Sequence, residues 1–231
     1  MAGEIPDWEA ELWGYLSSGD GMRCPAYSGC QGRLRGNWCP SDNIDNLNRL
    51  LDDNKFNIST RYPALKGMRS EECCRIFKLI GMLIDSYLKD AGVQHPPIPT
   101  DIISLADENH PIEVHRLPLK ANHGAIWQLS DRWIIQIKKD DPPARQRFTL
   151  FHEVFHILAH RDGTPVFKKK GIKEGYFNEL LADYFAGRML APVELVKEKW
   201  PEVNDINRMA EIFQVPTAVM GLGLWTLGLI E

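Results

Sequence analysis

RFTLFHEVFHILAH, residues 147–160, is the stretch whose reading decides the fold. It is an apolar helical run that carries His152, Glu153, His156 and His160. Each of those groups is costly to bury without a partner. On a helix, residues i and i+4 share a face one turn apart, so His152 and His156 present two imidazoles to one point. Two neutral imidazoles at that spacing suit a zinc ion at ~2.0–2.1 Å. Glu153 lies about 100° further round the helix, a poor place for a third ligand but a good one for reaching a water on the metal. That is the logic of H-E-x-x-H: two ligands and a general base.

A catalytic zinc needs a third protein ligand and one open position. Working outward, the next helical pattern, FNELLADYFAGRML at 177–190, supplies one. Glu179 and Asp183 are again i and i+4. Glu179 completes a His₂Glu set, and Asp183 is placed to accept the outer N–H of a ligand histidine, expected to be His152. The competing reading is a metal-free pair of structural helices. His160, a further turn along, is either a group that polarises substrate or a histidine set against the helix macrodipole. Tyr176 and His123 are candidates by residue type alone for stabilising an oxyanion.

The segments upstream build a frame for these helices. The run DDPPARQRF at 140–148 places Pro142 and Pro143 where a first helical turn tolerates them, behind Asp140 or Asp141 as cap. Three strand-like runs come before it: IEVHRLPL, GAIWQLS and RWIIQIKK. Ser130 and Asp131 mark a hairpin turn between the last two. TDIISLADE reads as a short helix capped by Thr100 or Asp101. Pro96, Pro97 and Pro99 make the clearest break in the chain. Ahead of them, apolar residues at helical spacing from Ile76 to Leu88, closed by Gly92, predict a helix over about 70–91.

These elements imply an α+β chain in three parts. Residues 1–92 form an N-terminal, cysteine-containing domain of helices and loops. Residues 93–195 form a minimal zincin-like core, a small antiparallel or mixed sheet with the two ligand-bearing helices. Residues 196–231 form a C-terminal helical unit with the rhythm of a helix-turn-helix. That tail is not charged like a DNA reader. From Pro201 onward, Arg208 faces Glu202, Asp205, Glu211 and Glu231, and the second helix lacks Arg, Lys, Asn and Gln. A protein-packing role is expected, and DNA binding is left open. Lys168 to Lys170 read as a solvated loop tip or as a contact for an acidic segment or nucleic acid.

Composition narrows the classes. The chain has 231 residues, 44% hydrophobic and 25% charged, and a formal net charge of −4. It is globular in composition, with no global basic field and no apolar run long enough to span a bilayer. The acidic start, MAGEIPDWEAELWGYL, lacks the form of a secretory signal. A cytoplasmic protein is expected, with no membrane partner. Its five cysteines are then thiols or metal ligands before they are disulfides. Cys24, Cys30 and Cys39, with Cys73 or Cys74, could make four thiolates for a second, structural zinc or an iron–sulfur cluster. Their spacing matches no common zinc knuckle, and small buried thiols account for them as well.

With those residues in view, the chain resembles the ImmA/IrrE family of zinc metallo-endopeptidases from about residue 96 to residue 231. The family's first helix reads RFTLAHELGHLLLH-like and its second E-x-x-A-N-x-F-A-x-x-L-L-M-P-like. Here they read RFTLFHEVFHILAH and ELLADYFAGRMLAP. Two departures stand out. Asp183 replaces the usual Asn, and Phe155 replaces the usual Gly, a ring that either enters the cleft or fills a gap in the core. The resemblance implies hydrolysis of a peptide bond in one regulatory protein, a helix-turn-helix repressor or an antitoxin. The alternative is a transcriptional or stress regulator that uses the zincin fold as a binding module.

Overall fold

The computed structural model describes residues 6–17, 71–107, 109–120, 122–159 and 175–230. The elements are α1 (Asp7–Ser17), α2 (Glu71–Asp90), a 3-10 helix (Thr100–Ala106), β1 (Ile112–Leu117), β2 (Gly124–Gln128), β3 (Trp133–Lys138), α3 (Pro143–Ala159), α4 (Gly175–Leu190), α5 (Val193–Val203), α6 (Ile206–Phe213) and α7 (Thr217–Thr226). The chain divides into two compact units. One comprises Met1–Leu83 and Val166–Leu181; the other comprises Ile84–Pro165 and Ala182–Glu231.

In the first unit, α1 buries Leu12, and the Trp13 indole donates to Glu9 one turn back at 3.1 Å. This unit also holds the amphipathic start of α2, where Ile76, Phe77, Leu79, Ile80 and Leu83 are buried. The predicted helix over 70–91 is thus observed one residue shorter at each end. It closes at Gly92, which takes φ +62. The Val93 N–H bonds the Leu88 carbonyl and the Gly92 N–H bonds that of Lys89. This double closure needs the left-handed conformation that glycine adopts without cost.

The second unit is built on a three-stranded sheet of order β1-β3-β2. β1 runs parallel to β3, with Val114 opposite Ile135, and β2 runs antiparallel to β3, with Ile126 opposite Ile135. The sheet is therefore mixed, and β2 and β3 form the expected hairpin. Its turn closes by a bond from the Leu129 N–H to the Arg132 carbonyl, with Ser130 and Asp131 between them. Period-two alternation in β3 sends Trp133, Ile135 and Ile137 inward, all buried, and leaves Ile134, Gln136 and Lys138 on the other face. The buried side of the sheet packs on α3.

The segment after the proline break is a tight 3-10 turn. Its cap position is Pro99, without a side-chain bond, so neither Thr100 nor Asp101 caps it. Arg147 of α3 reaches back to this region and donates to the Ile98 carbonyl at 2.6 Å. At the C-terminal end, α6 is capped by Asp205, which accepts from the Arg208 N–H at 2.7 Å. α6 and α7 are joined by a short turn through Gln214 at φ +54, and they bury Met209, Phe213, Met220 and Leu224. Among the described residues, no helix is long and apolar enough to cross a membrane.

Candidate metal centre

α3 is buried almost all round from Phe148 to Leu158, and His152, Glu153 and His156 are buried with it. The reason is its place in the unit. One side lies on the inner face of the sheet and another meets Phe185 of α4, so the helix has little water to turn toward. Three ionisable groups in such a helix must satisfy one another or share a ligand.

The side chains answer that requirement. The Asp183 carboxylate accepts from His152 Nδ1 at 2.7 Å, with both side chains largely buried. A carboxylate only accepts, so His152 Nδ1 carries a proton and donates it, which turns Nε2 to the opposite side of the ring. That Nε2 lies 3.2 Å from Nε2 of His156, with the ring centroids 4.9 Å apart and the planes at 72°. Ligand atoms of His152, His156 and Glu179 all lie within 4.8 Å of one another, and the three could hold a metal ion.

The donor set fits zinc. Two nitrogens bound to one tetrahedral zinc at ~2.0–2.1 Å lie about 3.3 Å apart, close to the separation observed. A carboxylate as third ligand and a carboxylate behind one histidine complete the usual pattern of such sites. Two imidazole nitrogens turned toward each other across this gap are accommodated by a cation between them or by a shared proton. The convergence therefore has a use for a metal that a purely structural helix pair would not need.

Phe155 is fully buried. Its ring stands 5.4 Å from that of Phe185 and 6.4 Å from that of His156. Of the two places open to it from the sequence, it occupies the core, where it props the α3–α4 contact behind the histidines. The other face of α4 carries Tyr184 and Arg188. Burial pushes the Tyr184 phenol up against the opposing effect of Arg188. Burial also pushes up the carboxyl of Asp85, where Arg188 opposes the rise and Glu194 adds to it.

The remaining expected residues separate into distinct groups. His123 bonds through Nδ1 to the Asp141 carboxylate at 2.6 Å, which ties its ring toward the start of α3. Tyr176, Cys73 and Cys74 fall in helices, but their side chains are outside the described residues, as are His160, Lys168 to Lys170, Cys24, Cys30 and Cys39. One neighbour of Glu153 escaped the sequence reading. Gly124, the first residue of β2, lies so close that a Cβ there would fall 2.5 Å from Glu153 Oε1. The available signal was a lone glycine opening a strand-like run, which marks a close approach of backbone to another group.

A comparison of the chain with curated proteins returned no match. The family model described as the IrrE N-terminal-like domain, peptidase family M78, matches residues 107–224, just over half of the chain. That span takes in the whole sheet, α3 with both histidines, and α4 with Glu179 and Asp183. By this match the chain belongs to the M78 peptidase family of IrrE N-terminal-like domains.

Proposed function

We propose that the protein is a zinc-dependent endopeptidase that cuts a peptide bond in one regulatory protein, of the helix-turn-helix repressor or antitoxin type, in the cytoplasm. The observation that carries the reading is the convergence of His152 and His156 Nε2 at 3.2 Å, with Glu179 within ligand range and Asp183 behind His152. Family membership supports the reaction class. The narrow substrate choice is an extension from the family resemblance.

In this reading His152, His156 and Glu179 hold the metal. Zinc bound there acts as a Lewis acid that polarises the substrate carbonyl and makes water a better nucleophile near neutral pH. Asp183 keeps the His152 proton on Nδ1, so that Nε2 stays a donor to the metal. Glu153 takes a proton from the attacking water as the C–O bond forms. It returns that proton to the leaving nitrogen as the C–N bond breaks, giving an amine and a carboxylic acid whose remaining proton passes to that amine or to solvent. Burial of Glu153 among apolar residues of α3 limits competing solvation of its carboxylate. The charge of the tail, with Arg208 against Glu202, Asp205 and Glu211 in the described part, supports protein packing rather than phosphate contact for α6 and α7.

The test is co-expression of the wild type and of Glu153→Gln with helix-turn-helix repressors, together with metal analysis of the purified proteins. Glu153→Gln is expected to keep one zinc per chain and to lower cleavage at least ~100-fold, the usual contribution of a general base. Equal behaviour of the two proteins toward every partner, with zinc bound, would overturn the peptidase reading in favour of a binding module.

A further inference from the structure

Gly124 stands at the head of β2, an outer strand of the sheet, opposite Ile137 of β3. With Ile126 it faces the side of the sheet that packs on α3. A Cβ placed on it would lie 2.5 Å from Glu153 Oε1, 3.0 Å from Glu153 Cγ and 2.6 Å from Thr149 Cγ2. Ordinary contacts between such atoms are ~3.5–4.0 Å, so even a methyl group needs a displacement of about 1 Å. Its φ is not in the left-handed region, so the position requires glycine for room and not for backbone freedom. The three atoms in the way belong to two residues one turn apart on α3, and both residues are buried.

We infer that Gly124 is a positioning residue: the missing side chain at the head of β2 is what lets the Glu153 carboxylate lie beneath the strand, beside His152. This inference rests on the peptidase reading for its consequence, though the packing stands without it. The three atoms nearest to such a Cβ belong to Glu153 and Thr149, not to His152, His156 or Glu179. A side chain at position 124 therefore presses on the base first, and the ligand set is expected to stay whole. Misplacement of a catalytic group by ~1 Å costs on the order of 100-fold in rate.

The experiment uses the full-length protein loaded with cobalt(II) in place of zinc. It compares wild type, Gly124→Ala, Glu153→Ala, Thr149→Ser and the double variants that combine Gly124→Ala with each of the other two. Metal stoichiometry, the visible cobalt spectrum and the melting temperature are measured. Gly124→Ala is expected to bind one cobalt, to alter the visible bands and to melt lower than wild type. In the Glu153→Ala background the same change is expected to cost less than half as many degrees and to leave the bands where they are. Thr149→Ser added to Gly124→Ala is expected not to restore the wild-type spectrum.

Three outcomes overturn the inference: a spectrum unchanged by Gly124→Ala, loss of the metal by that variant, or restoration by Thr149→Ser, which would make Thr149 the residue that needs the room. Should Gly124→Ala fail to fold, recovery of a folded protein on adding Glu153→Ala supports the inference, and continued failure overturns it. If wild type takes up no cobalt, the metal reading fails by itself, and the melting comparison alone decides the role of Gly124.

Discussion

Asp107 is a carboxylate only 8% exposed. Four donors converge on it. The Trp133 indole N–H bonds Oδ2 at 2.9 Å, the N–H groups of Asn109 and His110 bond Oδ1, and the His110 ring bonds Oδ2 at 3.1 Å. Burial alone would push its pKa up, but these hydrogen bonds outweigh it and hold the carboxyl below the ordinary value of 3.8. The sign follows from linkage. A depressed folded pKa contributes stability that is present above the unfolded value and is lost as pH falls through the folded one. Asp107→Asn turns an N–H₂ toward groups that already donate. It is expected to cost about 2 kcal/mol at pH 7 and progressively less as pH falls below 3.8, as read from a pH series of urea melts. Phe155 makes a prediction of a different kind. Truncation to Ala removes a fully buried ring from the α3–α4 contact and is expected to cost ~3–5 kcal/mol in denaturant unfolding, with Phe155→Leu well below that.

At the scale of elements, the functional side chains come from one helical turn of α3 and one of α4. The i, i+4 spacing within each helix sets which residues share a face, and the packing of the two helices sets whether those faces meet. Asp183 is the clearest test of the second condition, because its bond to His152 joins the helices at 2.7 Å. Asp183→Ala frees the imidazole to turn and to change tautomer. Zinc affinity is expected to fall ~10–100-fold, measured by competition with a chromogenic chelator, while helix content by circular dichroism stays as in wild type. A fall of less than threefold would deny Asp183 its orienting part. The sheet contributes through β2, whose first residue is the one that approaches the base.

At the scale of the molecule, a bound cation would tie α3 to α4 in a way that apolar packing does not. Ligand binding to the folded state stabilises it by RT ln(1 + [L]/Kd), about 4 kcal/mol when free metal exceeds Kd a thousandfold. Dialysis against a chelator is expected to lower the melting temperature by several degrees, and added zinc to restore it. His152→Ala is expected to abolish the response to zinc. A chain whose melting temperature ignores both chelator and zinc would not carry the centre proposed here.

What the sequence determined by itself is local. The spacing of His152 and His156, and of Glu179 and Asp183, follows from the pitch of a helix, and the end of α2 at Gly92 follows from what glycine alone adopts cheaply. The hairpin over Ser130 and Asp131 was legible for the same reason: turns and periodicity are written in neighbouring residues. Tertiary structure decided the rest. It placed β1 parallel to β3, sent Phe155 into the core rather than the cleft, tied His123 to Asp141, and brought Gly124 against Glu153. Each of these joins residues far apart in the chain, and no local pattern constrains which distant surfaces meet. Close packing of the sheet on α3 leaves room for a carboxylate beneath a strand only where the strand has no side chain.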